Sequence, residues 1–347
     1  MIKKIKVLLA LICFVLLVVC QGYVHADALG YGVKALIPDN QRNKEVSYFD
    51  LKTSPNMSEI ISVAISNNSD KVVSLEPVVN LSKTNFNGVM DYQNPKLKSD
   101  VSLPMDISKI VTPVEKKIDI AAHTTQEVKF QINMPDRPFN GQLVGGIVLK
   151  DLNQKSKKSG VSNVYAFVVG IVLHGNQELD KDTLALGDVV PDQNNYRNVI
   201  TSELRNTSAK ILSKLSVETT VTKKNSDKIL YAATKEKMML APNSILPFPT
   251  SLKNKSLKPG HYTIHIAAKT KDQNWHFDKD FEIKGEVAKK LNAQAVELEK
   301  DYTWLYMTAI GILIILLACI FFYIRHKNKE QKKLKAELNS LRDEKDL

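Results

Sequence analysis

The stretch Ser58–Asn67, SEIISVAISN, places Ile61, Val63 and Ile65 at every second position, with Ser62, Ala64 and Ser66 between them. Successive side chains of a strand point to opposite faces, so this pattern describes a strand with one face in a core and the other outside it. The same period recurs in TQEVKFQINMP (125–135), where Val128, Phe130 and Ile132 alternate with Glu127, Lys129 and Gln131. It returns in HYTIHIAAKT (261–270) and FDKDFEIKG (277–285). Turn residues interrupt these runs roughly every 8 to 15 positions, the rhythm of antiparallel sandwiches.

Working outward, GGIVLKD (145–151) and VYAFVVGIVLHG (164–175) are two apolar strands around the polar loop LNQKSKKSG, and read as a hairpin that closes a first domain near Gly175. The basic run QKSKKSG reads as a solvated hairpin tip or as a polyanion contact. NQELDKDTLALGDV (176–189) reads as a linker into a second domain that ends near Gly285. Asn-rich turns, SNNSDK and RNTSAK, occupy matching early places in the two domains and suggest a tandem repeat. Gly141, Gly145 and Gly146 fall inside a strand pattern, which calls for a close backbone approach or a bulge. The expected fold is all-β: two tandem immunoglobulin-like β-sandwich domains plus one C-terminal transmembrane helix. VAKKLNAQAVELEKDY (287–302) is the one amphipathic helical stretch between them and reads as a stalk.

The chain ends fix the topology. Lys3, Lys4 and Lys6 precede an apolar run from Val7 to Cys20 and then Val24-His25-Ala26, the plan of a secretory signal peptide cut after Ala26. Trp304 to Ile324 carries no charge and is long enough for a helix to cross a hydrocarbon layer of about 30 Å. Tyr302, Trp304 and Tyr306 mark one interface and Tyr323 the other. Arg325, Lys327, Lys329, Lys332, Lys333 and Lys335 follow directly, which puts the tail in the cytoplasm. In that tail Leu334, Leu338 and Leu341 form one short apolar stripe. The expected organisation is a signal peptide (1–26), a first sandwich (27–175), a second (176–286), a juxtamembrane stalk (287–303), a membrane helix (304–324) and a basic cytoplasmic tail (325–347). Of the net charge of +11, the leader lysines hold three and the tail another three, so the exterior keeps only a mild positive excess. A high isoelectric point of this origin does not indicate nucleic acid. All three cysteines, Cys13, Cys20 and Cys319, fall in apolar segments, so the exterior is held by its cores without disulfides, as suits a bacterial surface.

Signs of chemistry are few. His261 and His265 share a strand face, but four strand residues set them roughly 13 Å apart, too far for one zinc. Nucleophile-elbow, phosphate-loop, dinucleotide and zinc-protease motifs are absent, so no catalytic residue, metal ligand or cofactor is assigned and an enzyme is not expected. The loop TNFNGVMDYQNP (84–95) stands out. Asn87-Gly88 is a strong hairpin signal, yet Thr84, Asn85, Phe86 and Tyr92 around it are what a sugar- or peptide-binding surface uses: amide donors beside a stacking ring. Both readings stay open, with Thr84, Asn85, Phe86, Asn87 and Tyr92 as the candidate binding residues.

Taken in order, PDNQ (38–41), YFDL (48–51), Pro55, TNFNG with Tyr92, INMPDRPFNGQLVGGI (132–147) and YAFVVGIVLHG (165–175) resemble the WxL-interacting proteins of Gram-positive bacteria. MLAPNSILPFP (239–249) and LKPGHYTIHIAAK (257–269) are similar to that family's second domain. The resemblance implies a first domain that binds peptidoglycan, a second that binds a host ligand, assembly with WxL-domain surface proteins, and adhesion to host extracellular-matrix protein. The expected function is thus a non-enzymatic, membrane-anchored cell-surface adaptor. The alternative is a membrane-tethered assembly chaperone for exported β-sheet surface proteins; a wall hydrolase is the third and least favoured reading.

Overall fold

The computed structural model describes residues 30–153, 166–179, 181–299 and 302–343. The leader (1–26), with Cys13 and Cys20, and the basic loop 154–160 lie outside the described residues, as do the side chains of Leu334, Leu338 and Leu341.

The first sandwich is built from β1 (Tyr31–Leu36), β2 (Phe49–Lys52), β3 (Ser58–Asn67), β4 (Val73–Leu81), a small hairpin of β5 (Lys83–Thr84) and β6 (Met90–Asp91), the single-turn α1 (Ile107–Ile110), β7 (Val111–Pro113), β8 (Ile118–Ile120), β9 (Thr125–Asn133), β10 (Gln142–Asp151) and β11 (Ala166–His174). One sheet runs β1-β3-β9-β7 and the facing one β2-β11-β10-β4-β8. The alternation in the sequence is met residue by residue: Ile61, Val63 and Ile65 of β3 and Val128, Phe130 and Ile132 of β9 are all buried, with Ile61 opposite Phe130 and Val63 opposite Val128 across the β3–β9 ladder. Each such side chain contributes about 1.5–3 kcal/mol by leaving water. The expected hairpin of β10 and β11 is also present, from Gln142↔His174 to Lys150↔Ala166.

The second sandwich holds β12 (Leu184–Asn194), β13 (Arg197–Asn206), β14 (Leu212–Lys223), β15 (Ile229–Leu240), β16 (Ser244–Ser251), β17 (Gly260–Lys269) and β18 (Asn274–Ile283). Its sheets run β12-β13-β16 and β15-β14-β17-β18, around a core that includes Leu204, Val217, Phe248 and Ile264. Pro247 and Pro249 sit in β16, an edge strand, where a missing N–H breaks no ladder. The segment 176–189 is not linker throughout: β12 starts at Leu184, and among the described residues of this stretch only Leu184 and Val189 are buried, which hides the strand period.

The two Asn-rich turns are one device used twice. Asn67 Nδ2 donates to the carbonyl of Lys71 at 2.8 Å and to those of Ile120 and Ala121, while its Oδ1 accepts from the Ser69 amide at 3.0 Å. Asn206 Nδ2 donates to the carbonyls of Lys210 and Ala241, and its Oδ1 accepts from the Ser208 amide at 3.2 Å. Asn-x-Ser-x-Lys is therefore a repeated plug that closes a β-turn and ties it to a neighbouring strand. Both amides are buried, so Asn67→Ala or Asn206→Ala leaves carbonyls unpaired in the interior. Each is expected to lower the stability of its own sandwich by about 2 kcal/mol, read by urea unfolding.

Two helices follow. The stretch expected as a stalk is shorter and docked: α2 (Gly285–Gln294) buries Ala288 and lays Asn292 between Asn198 and Leu257 of the second sandwich. Helix α3 (Thr303–Asp343) contains Trp304–Lys333, long and apolar enough to cross a membrane.

Candidate functional site

The loop singled out in the sequence divides between two places. Thr84 is fully buried against the second sandwich, its Oγ1 paired with Ser244 Oγ at 2.6 Å and accepting from the Ala241 amide at 3.0 Å. Asn85 turns inward on its own loop, Oδ1 accepting from the amides of Asn87 (2.9 Å) and Val89 (3.3 Å). Of the Asn87-Gly88 pair only Gly88 has positive φ, +65°, so the turn is not the doubly left-handed type expected of that dipeptide. The Gly88 carbonyl accepts from the Met239 amide at 2.8 Å, and a side chain at Gly88 would overlap Met238. Asn87 Oδ1 accepts from Lys235 Nζ at 2.9 Å, and Phe86 lies half-buried at the tip. Thr84 to Gly88 thus form a brace between the domains. Segment 98–102 extends it. Its Ser99 bridges Ser244, the Asp100 amide donates to the Asn243 carbonyl at 2.7 Å, and the Asp100 carboxylate takes Arg205 Nε at 2.6 Å and Nη2 at 3.2 Å.

Tyr92 goes elsewhere, onto the outer face of the β10–β11 pair. On that face Val144, Gly146 and Val148 of β10 oppose Val172, Gly170 and Val168 of β11. Two glycines directly opposite each other make a floor without side chains, walled by valines. Tyr92 lies over Gly146, where a Cβ would come within 2.7 Å of its ring, and Tyr48 stands beside Gly170. Burial pushes the Tyr92 phenol above its ordinary pKa range. The result is a groove of about 1030 Å³, bounded by β1 on one side and by Lys210, Ile211 and Met239 of the second sandwich at one end. Glycine at 145 and 146 meets the expected close approach: Gly145 packs under Ile107 on the core side and Gly146 under Tyr92 on the groove side. Of the five candidate residues, only Tyr92 lines this groove. Tyr48 and Gly170 are not among the candidates that the sequence offers; Tyr48 stands within the YFDL string, and the signal for Gly170 is its place inside an apolar strand.

Beside the groove, His174 links the strand ends. Arg42 Nη1 meets His174 Nδ1, and His174 Nε2 meets Asp50 Oδ1 at 2.6 Å. A guanidinium only donates, so Nδ1 is the acceptor and Nε2 carries the proton to Asp50. Both ring nitrogens are taken up in hydrogen bonds, so this imidazole presents no free lone pair to a metal. Arg42 also pairs with Glu178 and holds that carboxyl below the usual range. His261 and His265 lie exposed on β17, with His265 Nδ1 on Asp278 Oδ1 at 2.7 Å. Among the described residues no three His, Cys, Asp or Glu side chains gather in a metal-binding group.

Residues 31–151 match the family model described as WxL Interacting Protein, peptidoglycan binding domain, and residues 156–293 that described as WxL Interacting Protein, host binding domain. The sheet pairing places β11, inside the second match, in the first sandwich. No curated protein matches the sequence. Among solved structures, the Pseudomonas aeruginosa CupB2 chaperone is 8% identical over 63% of this chain and 91% of its own, with a TM-score of 0.27. The Escherichia coli chaperone DraB is 12% identical over 67% and 93%, TM-score 0.27. A chain of the Acinetobacter baumannii CsuC–CsuE chaperone–tip adhesion subunit complex is 9% identical over 63% and 89%, TM-score 0.30. Scores of this size bear on neither activity nor partner.

Proposed function

This chain belongs to the WxL-interacting protein family, and from that premise we propose that it is a non-enzymatic adaptor whose first sandwich holds peptidoglycan in the groove of Tyr48 and Tyr92. The two matched domain families are binding modules. In this reading the second sandwich meets a host extracellular-matrix protein, WxL-domain surface proteins join the assembly, and α3 anchors the chain with both sandwiches outside and the tail in the cytoplasm. Protease added to intact protoplasts is then expected to remove both sandwiches; protection of either would overturn the orientation.

The observation that carries the wall-binding half is the glycine-floored groove. Pyranose rings present flat C–H faces, which stack on phenol rings, and the paired glycines let an extended ligand lie close to the backbone. Lys34 at the rim suits the carboxylates of stem peptides, while Lys210, paired with Asp182 at 3.3 Å, belongs to the end wall. Tyr92 is the contact residue here, while Thr84, Asn85, Phe86 and Asn87 act indirectly, by fixing the wall that the second sandwich supplies. Tyr48→Ala with Tyr92→Ala is expected to lower retention of the full chain on purified peptidoglycan about tenfold, at roughly 0.5–1.5 kcal/mol per ring. Unchanged retention, or wild-type retention no better than that of an unrelated β-sandwich, would reject the groove.

A second reading, a tethered assembly chaperone for exported β-sheet proteins, draws on one observation. β2 pairs with β11 only from Ile171 to His174, so among the described residues Ala166–Gly170 offers an unpaired edge to a partner's strand. It requires that loss of this protein reduce the amount of a partner on the surface.

A further inference from the structure

The end of the second sandwich that faces away from the first carries a basic and aromatic cavity that the adaptor reading leaves unused. Strand directions place three connections there: the β12–β13 turn at Asn195–Tyr196, the β14–β15 turn after Lys223, and the β16–β17 loop from Leu252 to Pro259. The chain leaves for α3 from the same end, and it is fastened almost the whole way. Gln193 Nε2 holds the Leu291 carbonyl at 2.6 Å, the Val296 amide the Tyr196 carbonyl at 2.9 Å, and the Glu299 amide the Asn254 carbonyl at 2.9 Å. Arg197 pairs with Glu297 at 2.7 Å. From Glu299 to Thr303 an extended chain reaches about 14 Å at most. With α3 in a bilayer, the second sandwich must therefore rest at the membrane surface, with Tyr302, Trp304 and Tyr306 at headgroup depth.

At that level lies a cavity of about 590 Å³ with Lys223, Lys255 and Lys258 on its wall, Tyr231 behind them and Tyr302 and Tyr306 on the membrane side. Tyr262 closes its base and donates to the Lys258 carbonyl at 2.8 Å, which steadies the β16–β17 loop. Among the described residues that line it, Glu299 is the one carboxylate. Lys228 and Lys253 stand in the same two connections, and Lys224 is held by Asp280 at 2.7 Å.

We infer that this cavity takes the phosphodiester headgroup of an anionic phospholipid from the leaflet on which the second sandwich rests. Ammonium groups are compact charges that bind phosphate oxygens from several directions, and tyrosines at this depth offer hydroxyl donors while their rings meet the acyl boundary. Three lysines against one carboxylate among the described lining residues leave a positive excess where the lipid phosphates lie. The effect would set how the second sandwich stands on the membrane, a role separate from any ligand at its other faces.

The full chain in nanodiscs of phosphatidylcholine, with and without phosphatidylglycerol, tests this. Amide hydrogen exchange in 223–231 and 252–259 is expected to slow about tenfold when phosphatidylglycerol is present and to recover when ionic strength rises to about 0.5 M. Lys223→Gln, Lys255→Gln and Lys258→Gln together should erase the slowing while exchange in the β14–β17 ladder stays at wild-type rates; Lys34→Gln on the first sandwich should keep the slowing. Equal exchange in the two lipids, slowing that survives the triple variant, or the same slowing from free glycerol phosphate added to phosphatidylcholine discs would each overturn the assignment.

Discussion

Asp100→Ala is expected to weaken the contact between the sandwiches by about 3 kcal/mol, the lower end of what removing one member of a buried ion pair costs. The Asp100 side chain is fully buried and Arg205 is partly exposed, so water screens part of the loss. Asp100 also accepts from the Ser102 amide at 2.9 Å, and that turn carries the Ser102 backbone and hydroxyl oxygens to which Asn243 Nδ2 donates. One substitution therefore loosens three ties between the domains. Chymotrypsin cleavage between 175 and 183, with urea unfolding followed by separate probes in each sandwich, would show the domains melting apart in Asp100→Ala. Coincident transitions at the wild-type midpoint would refute the coupling. A double change, Asp100→Leu with Arg205→Met, should cost less than Asp100→Ala alone, because neither partner is left charged and unpaired. Acid acts on the same link. Burial alone would raise the Asp100 carboxyl, but the Arg205 and Ser102 hydrogen bonds outweigh it and hold it below the usual carboxylate range. A carboxyl whose folded pKa lies below its unfolded one adds stability that is complete above the unfolded value, about 4, and is lost as pH falls through the folded one. The domain contact should thus be indifferent to pH near neutrality and fail on strong acidification.

What could be read in advance follows from the range of the physics involved. Ile61, Val63 and Ile65 disclose their strand because the period of two sets each side chain's face locally, and the uncharged run ending at Ile324 discloses in the same local way a helix long and apolar enough to cross a membrane. Edge strand β12 is hidden in the sequence because it buries too few residues to show a period. The sequence pattern carries helix α2 past Gln294, where the chain turns extended at Ala295, and it gives no sign of the docking of Asn292 on Asn198 and the Leu257 backbone, which lie far off in the chain. The loop at Thr84 shows the limit most clearly. TNFNG and MLAPNS are two of the strings that suggested the family, and in the fold they touch: Thr84 meets Ser244 and Ala241, and Gly88 meets Met239. Nothing in either string says so, since no period links residues that far apart. Amides and a ring next to a turn look alike whether they await a ligand or another domain. The groove was legible only in fragments, as Tyr92 in a loop, Tyr48 in a second string and glycines in two strands, because cross-strand register alone sets Gly146 opposite Gly170.

The second junction between the sandwiches carries the other large effect. Gly141 has φ +83°, a conformation that side chains resist, and a Cβ there would overlap the Ala209 carbonyl oxygen. That same oxygen accepts from the Gln142 amide at 2.6 Å, while Gln142 Oε1 takes the Ile211 amide at 3.1 Å and the Gly141 amide donates to Gln177. The backbones of β10 and of the Asn206 turn are therefore in direct contact, with no side chain between them that could yield. Gly141→Ala must both strain the backbone and push Ala209 away, which breaks the Gln142 bond and strips one wall from the groove at Lys210 and Ile211. The expected cost is about 3 kcal/mol or more, the sum of a strained φ, an overpacked contact and a lost buried hydrogen bond. Gly32→Ala is the comparison, since a Cβ at Gly32 meets nothing within 4 Å; it should stay within about 0.5 kcal/mol of wild type. If the groove needs both sandwiches, Gly141→Ala also loses peptidoglycan retention while each sandwich, probed by hydrogen exchange in its own β3–β9 or β14–β17 ladder, remains folded. Retention at the wild-type level in a variant whose domains have come apart would place wall binding on the first sandwich alone.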